Sequence, residues 1–307
     1  MHEITLADNK VSSIILGTMR IAEKSNIEVL ELLNTALENR INFIDTADIY
    51  GGGKCEELLG EAFTADSSLR EKFTLQSKCG IRKDGAFTWY DFSKVHILEA
   101  VNSSLQRLKT DYLDVLLLHR PDALMEPEEI AEAFDILEGE GKVRHFGVSN
   151  MNPAMIELLK KNIRQPLIVN QLQLSAAFTP AIDSGFHMNM EDNAAIVRSS
   201  SILEYCRLND IVIQTWSPLQ YGYLQGTFID DDKYLALNSI LDRIAREKGC
   251  TKAAVALAWI KRYPAAIQTV IGTTNPEHIR EASGAMNINI SKHEWYEIYL
   301  AAGKNMP

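Results

Sequence analysis

An alternation constrains this chain more than any other feature. Eight short apolar runs of strand type recur along it, at 11–18, 41–45, 73–78, 113–119, 143–148, 167–171, 211–216 and 267–272. Most are separated by stretches with helical periodicity, at 25–39, 54–63, 92–108, 126–137, 196–208, 233–248 and 251–261, with a further helix opened by Asn152-Pro153. Two more helices, at 276–285 and 292–302, close the chain. Several of the strand runs are apolar at almost every position, as in Leu113-Asp114-Val115-Leu116-Leu117-Leu118. Near-continuous apolar runs are the pattern of parallel strands covered on both faces. Eight such units in 307 residues, with no Pro/Gly/Ser linker and no block of like charge, predict one domain: a (β/α)8 TIM barrel spanning 1–307. An open doubly wound sheet is the second option. It lacks the G-x-G-x-x-G turn after any strand, and Gly51-Gly52-Gly53 has the wrong spacing and reads as a flexible turn. The irregular stretch 174–193 reads as a surface excursion able to wall one side of a site.

Charge and cysteine usage narrow the function. The net charge is −10 and no Lys/Arg block exists. A phosphate backbone or anionic membrane surface needs a basic footprint, so neither nucleic acid nor membrane is an expected partner. No run reaches the 18 or more apolar residues of a membrane span. The first residues lack a basic region followed by an apolar core, and Cys55, Cys79, Cys206 and Cys250 have no C-x-x-C spacing. Reduced thiols and a cytoplasmic location are expected. Oligomeric state has no signal here.

In a barrel the strand C-termini converge on one mouth, where chemistry is placed. The residues at those ends are Asp45 and Tyr50, Lys78, His119, Ser149-Asn150, Gln171, Trp216-Ser217 and Thr273-Thr274. The first four suggest carbonyl reduction. Hydride addition leaves negative charge on oxygen, which then needs a proton donor. Tyr50 can donate; a Lys78 ammonium would favour its phenolate, and Asp45 would orient Lys78 and keep it charged. His119 can align the carbonyl. A metal at Asp45 and His119 lacks a third ligand. The remaining ends suit a dinucleotide: amides and a hydroxyl for a carboxamide, Trp216 as a flat face, Ser217 and Leu219 for a pyrophosphate. Gly272-Thr273-Thr274-Asn275 forms an anion-binding turn before a helix. Met19, Arg20, Trp89 and Tyr90 are expected near the mouth, with Arg20 able to favour an acidic or phosphorylated substrate.

At this point the chain resembles the aldo-keto reductase family, in particular its bacterial general oxidoreductase branch. The resemblance rests on FIDTADIYGGGKCEELLG (43–60), LQSKCG (75–80), LDVLLLHRPD (113–122), GKVRHFGVSN (141–150), VNQLQLS (169–175), TWSPLQYGYL (215–224) and VIGTTNPEHI (270–279), in family order. It implies a barrel with an N-terminal cover on its bottom and NADPH extended across the mouth. It implies Tyr50 as proton donor, Asp45 and Lys78 as its tuning pair, and His119 as the substrate-orienting residue. It implies carboxamide contacts from Ser149, Asn150 and Gln171, stacking by Trp216, and pyrophosphate contacts from Ser217 and Leu219. The adenosine phosphate would meet Gly272, Thr273, Thr274 and Asn275. His278 stands where the family usually has an arginine, with Arg280 nearby, and Glu281-Ala282 replaces the usual Glu-Asn against adenine. A neutral imidazole holds a phosphate less well than an arginine fork, so NADH is the alternative cofactor. The alternative function is a nicotinamide-nucleotide-binding barrel with a regulatory or partner-binding role.

Overall fold

The computed structural model describes residues 3–7, 9–188, 190–223 and 225–306. Of the segments read above, Met1, His2 and Asp8 at the N-terminus, Asn189 in the 174–193 stretch and Leu224 at the end of TWSPLQYGYL lie outside the described residues. The strands are β1 (Glu3–Leu6), β2 (Asn9–Ser12), β3 (Ile14–Gly17), β4 (Phe43–Asp45), β5 (Thr74–Cys79), β6 (Ile81–Asp84), β7 (Phe87–Tyr90), β8 (Leu113–Leu118), β9 (Val143–Ser149), β10 (Leu167–Gln173), β11 (Val212–Trp216) and β12 (Ile267–Ile271). The helices are α1 (Asn26–Glu38), α2 (Lys54–Ala65), α3 (Ser68–Lys72), α4 (Lys94–Leu108), α5 (Pro127–Gly139), α6 (Pro153–Lys160), α7 (Pro180–Phe186), α8 (Ile202–Leu208), α9 (Leu235–Lys248), α10 (Lys252–Lys261), α11 (Pro276–Ala285) and α12 (Lys292–Ala301).

Strands β3, β4, β5, β8, β9, β10, β11 and β12 pair in parallel in that order and close on themselves, giving the expected (β/α)8 barrel. The crossover helices begin where the sequence supplies caps. Ser25 and Glu28 form a capping box on α1, Asn152 and Thr251 cap α6 and α10, and proline occupies the first turn of α5, α6 and α11. Gly60 lets α2 and α4 approach closely, since a Cβ there would lie 2.1 Å from the Arg107 carbonyl oxygen.

The side-chain period of two sorts each strand into an outward and an inward row. Outward residues such as Ile44, Leu75 and Leu116 join the core beneath the helices. Inward, Ile15, Phe43, Val115, Leu117, Val169, Val212 and Val270 form a separate apolar cluster inside the barrel. The antiparallel β1–β2 hairpin covers its floor and adds Leu6 and Val11 to that cluster. Above it the interior turns polar, and this half carries the site.

Three local readings change. The run 11–18 is two elements, not one: the chain breaks at Ser13, where the Ser12 hydroxyl donates to the Ile14 carbonyl at 2.6 Å and the Ser12 N–H donates to Asn42 Oδ1 at 2.8 Å. The helix expected over 196–208 starts at Ile202, because Ser200 and Ser201 take left-handed backbone (φ 51° and 55°). The stretch 174–193 contains α7 and, among its described residues, contributes nothing to the mouth. It packs instead on the C-terminal segment, through Tyr299 hydroxyl to Asp183 at 2.8 Å and His187 Nε2 to the Asn305 carbonyl at 2.9 Å.

Candidate active site

The inward register brings the predicted residues together. Asp45, Lys78, His119, Ser149, Gln171 and Trp216 are inward positions at or just past the ends of their strands. They surround one end of an elongated cavity of about 1230 Å³ at the barrel mouth. All sixteen candidate residues line that cavity except Lys78, whose fully buried side chain lies directly behind Tyr50.

Lys78 is the hub of one wall. Its Nζ lies 2.7 Å from Asp45 Oδ1 and 2.8 Å from Oδ2, and it donates to the Thr46 carbonyl at 2.7 Å and to the Tyr50 hydroxyl at 3.3 Å. Burial alone would lower the ammonium's pKa, but Asp45 and Tyr50 outweigh it and hold Lys78 above its ordinary value. Lys78 favours the Tyr50 phenolate as expected, but burial outweighs it. Burial is the largest influence on Tyr50 and raises the phenol; the Lys78 charge and hydrogen bond pull it down, and Asp45 pushes it up, leaving it above its ordinary value. Lys78 therefore limits the cost of forming a phenolate rather than bringing Tyr50 near neutrality.

Tyr50 is placed by the turn that follows it. Gly51, Gly52 and Gly53 all have positive φ (59°, 64° and 95°), and a Cβ on Gly51 would lie 2.7 Å from Ala22 Cβ. The triple glycine is thus a packed left-handed turn into α2, not a slack one. Behind it Asp48 Oδ1 is buried with no partner among the described residues. Burial, then the Glu56 charge, raises Asp48 to about 7, with Arg107 opposing.

His119 forms the facing wall. Its ring meets Tyr50 edge-on, centroids 5.8 Å apart. Burial, then the charges of Lys78 and Arg120, hold it well below its ordinary pKa, so the imidazole is neutral. Its Nδ1 is buried without a partner among the described residues. An unpaired buried N–H costs a full desolvation penalty, so the proton is better placed on Nε2.

Below these groups runs a network that sequence reasoning found only in part. Gln76 Nε2 donates to Asp45 Oδ1 at 2.6 Å and to Gln214 Oε1 at 2.8 Å. Gln171 Nε2 donates to the same two oxygens, both at 3.0 Å. Gln214 Nε2 passes on to Gln268 Oε1 at 3.0 Å, and Gln268 Nε2 ends on the Ser12 carbonyl at 2.7 Å. Gln171 was singled out as a carboxamide contact; its amide nitrogen is spent inward, leaving its carbonyl oxygen for a ligand. Gln76, Gln214 and Gln268 were missed. Their signal is a glutamine on the inward row of otherwise apolar strands.

From Ser149 and Trp216 onward, the cavity has the donors expected for a dinucleotide. Asn150 Nδ2 donates to Ser149 Oγ at 2.8 Å, and Trp216 Nε1 donates to Asn150 Oδ1 at 3.3 Å, fixing the indole. Ser217 has left-handed backbone (φ 50°), which turns the chain toward Leu219 along the groove. Asn275 caps α11 by accepting from the Glu277 N–H at 3.0 Å, and Thr273 Oγ1 lies 3.3 Å from His278 Nδ1. Arg280 is turned to Glu277 and does not line the cavity. Arg20 does line it, but its Nη1 donates to the Gly272 carbonyl at 2.8 Å, on the cofactor side rather than the substrate side. Of the aromatics expected near the mouth, Tyr90 lines the cavity, on a β6–β7 hairpin that was not anticipated. Trp89 stacks on Phe87 instead. No group of three or more His, Cys, Asp or Glu side chains able to hold a metal occurs among the described residues, and none of their helices is long and apolar enough to cross a membrane.

Comparison with known proteins points the same way. The family model described as aldo/keto reductase family matches residues 13–300. The oxidoreductase YcsN of Bacillus subtilis is 35% identical, with 100% of both chains covered, and a 6-dehydroglucose reductase of Agrobacterium fabrum is 34% identical with the same coverage. The crystal structure of an aldo/keto reductase from Klebsiella pneumoniae in complex with NADP and acetate is 25% identical, covers 98% of this chain and 94% of its own, and superimposes with a TM-score of 0.77. By its barrel, its mouth and its whole-length similarity, the chain belongs to the aldo/keto reductase family and is an NAD(P)H-dependent oxidoreductase.

Proposed function

We propose that this enzyme reduces an aldehyde or ketone to an alcohol with NADPH, Tyr50 supplying the proton. The observation that carries the reading is the Lys78 ammonium, 3.3 Å from the Tyr50 hydroxyl and paired to Asp45, beside a cavity of about 1230 Å³ that all twelve expected cofactor residues line. The donor set along that cavity fits the cofactor. Ser149, Asn150 and the Gln171 carbonyl oxygen would meet the carboxamide, Trp216 the flat ring, and Ser217 and Leu219 the pyrophosphate. Thr273, Thr274, Asn275 and His278 would meet the adenosine phosphate, with Gly272 leaving room and Glu281 beside the adenine. When bound, the reduced nicotinamide supplies the hydride.

The protein's own residues do the rest. His119 donates a hydrogen bond from Nε2 to the carbonyl oxygen and aligns it with Tyr50. Tyr50 passes its proton to that oxygen as charge develops there. Lys78 stabilises the phenolate left behind, and Asp45 holds Lys78 in place. The Klebsiella structure with NADP supports NADPH over NADH, although His278 in place of an arginine weakens the phosphate end. The 6-dehydroglucose reductase relative favours a polar aldehyde.

Tyr50→Phe tests the assignment. NADPH-dependent reduction of an aldehyde panel should fall by about 10²- to 10⁴-fold, the usual worth of a positioned acid. NADPH binding, read by fluorescence titration beside NADH, should persist. A variant that keeps full activity would remove Tyr50 from the mechanism.

A further inference from the structure

Arg120 follows His119 directly, and both residues line the cavity. Its carbon lies 5.5 Å from the centre of the Trp216 ring and 5.3 Å from that of Tyr223. Two rings, set at 86° to one another, thus lie within cation–π range of one guanidinium, whose N–H groups remain for a ligand. No carboxylate, carbonyl or hydroxyl among the described residues bonds to it.

Other arginines in the same protein provide the contrast. Arg70 and Arg144 both stack on Tyr112, and both also pair with Asp114, at 3.1 and 2.9 Å. Arg82 stacks near Trp89 and pairs with Asp91 at 2.9 Å. Among the described residues, each stacked arginine but Arg120 has its counter-ion. The other cations around the cavity are also committed: Lys78 to Asp45, Arg20 to the Gly272 carbonyl, and Lys252 to Asp230. Lys83 alone is different, standing solvent-exposed on the hairpin. In a chain of net charge −10, a guanidinium beside two rings and without a carboxylate among the described residues is suited to an anion.

We propose that the substrate is an oxo acid: a short molecule whose carbonyl sits between Tyr50 and His119 and whose carboxylate takes the two N–H edges of Arg120. The adjacency of Arg120 to His119 requires the anion to lie within a short chain of the carbonyl. A carboxylate fits the guanidinium fork with two parallel hydrogen bonds, which makes it the favoured oxoanion over phosphate. The inference rests on the carbonyl-reductase reading and narrows it.

The test compares matched pairs with NADPH: 4-oxobutanoate against butanal, and glyceraldehyde 3-phosphate against glyceraldehyde. The wild-type enzyme should favour 4-oxobutanoate over butanal by about tenfold or more in kcat/KM, mostly through KM, the expected worth of a charge-assisted pair. Arg120→Met should bring that ratio to about one, and Arg120→Lys should restore part of it. A wild-type ratio near one, a ratio unchanged in Arg120→Met, or a preference confined to the phosphate pair or to neutral glyceraldehyde would overturn the proposal. In those cases the reductase reading still stands, because aldehydes are turned over. If no aldehyde is reduced at all, that reading fails, and calorimetry of 4-hydroxybutanoate on the NADP-loaded protein decides this one. Weaker binding by Arg120→Met upholds the anion site, and equal binding removes it.

Discussion

The two walls of the reaction centre differ in how their polar groups are satisfied. On the Asp45–Lys78–Tyr50 side each charged group has partners inside the protein: Lys78 reaches four acceptors, and Asp45 Oδ1 takes donors from Lys78, Gln76 and Gln171. On the His119–Arg120 side, among the described residues, the His119 N–H at Nε2 is left for a ligand and the Arg120 guanidinium meets only ring faces. The first wall is built before any ligand arrives. The second is incomplete until one does. Preorganised charge lowers the cost of the chemical step, whereas donors left for a ligand, the His119 Nε2–H and the Arg120 N–H groups, select what enters.

Breaking the built wall should do the most damage. Lys78→Met leaves Asp45 as a buried charge without its counter-ion, a loss of about 3–5 kcal/mol of folding stability by analogy with other broken buried pairs. Reduction should drop at least as far as in Tyr50→Phe, because the phenolate loses its cation. Denaturant unfolding alongside NADPH oxidation measures both, and near-normal stability would show that Asp45 is not held as described. Gln76→Leu is the gentler cut. It removes the 2.6 Å donor to Asp45 and leaves Lys78 in place. A stability loss of about 1–3 kcal/mol is expected, with kcat reduced by about tenfold or less and KM little changed. A change in KM alone would argue that the glutamines do not act through Asp45.

The incomplete wall should show itself in acid. Unfolded, His119 takes up a proton near its reference pKa of about 6.5. Folded, burial and the Lys78 and Arg120 charges keep it neutral until well below that. The unfolded chain thus binds more protons in the window under about 6.5, and stability falls as pH drops through it. His119→Gln should lose that share of the acid sensitivity, read as a smaller drop in denaturant midpoint between neutral and mildly acidic buffer. An identical pH slope in both proteins would place the depressed group elsewhere.

The two walls were not equally legible in the sequence. Asp45, Lys78 and His119 sit at the ends of apolar strands, so the period of two and the barrel closure were enough to bring them together. The β6–β7 hairpin escaped notice because its strands are short and mostly exposed, although Asp84-Gly85, where Ile81–Asp84 ends and the loop to Phe87–Tyr90 begins, carries a turn signal. Arg20 was singled out as the cation for the substrate, yet it bonds to Gly272, and Arg120 occupies that role's place. Whether an arginine has a counter-ion depends on what folds around it, and no local pattern records that. The break at Ser13 is similar: it depends on Asn42, brought in from the neighbouring strand.

The chain of amides from Asp45 through Gln76, Gln214 and Gln268 ends on the backbone of Ser12, in the hairpin that floors the barrel. The orientation of Asp45, and through Lys78 that of Tyr50, is thereby referenced to the hairpin at the barrel floor. A graft or substitution that shifts that hairpin would be felt at the carbonyl without touching a single residue of the mouth. Anyone redesigning the N-terminal segment is editing the support of Asp45 and Lys78.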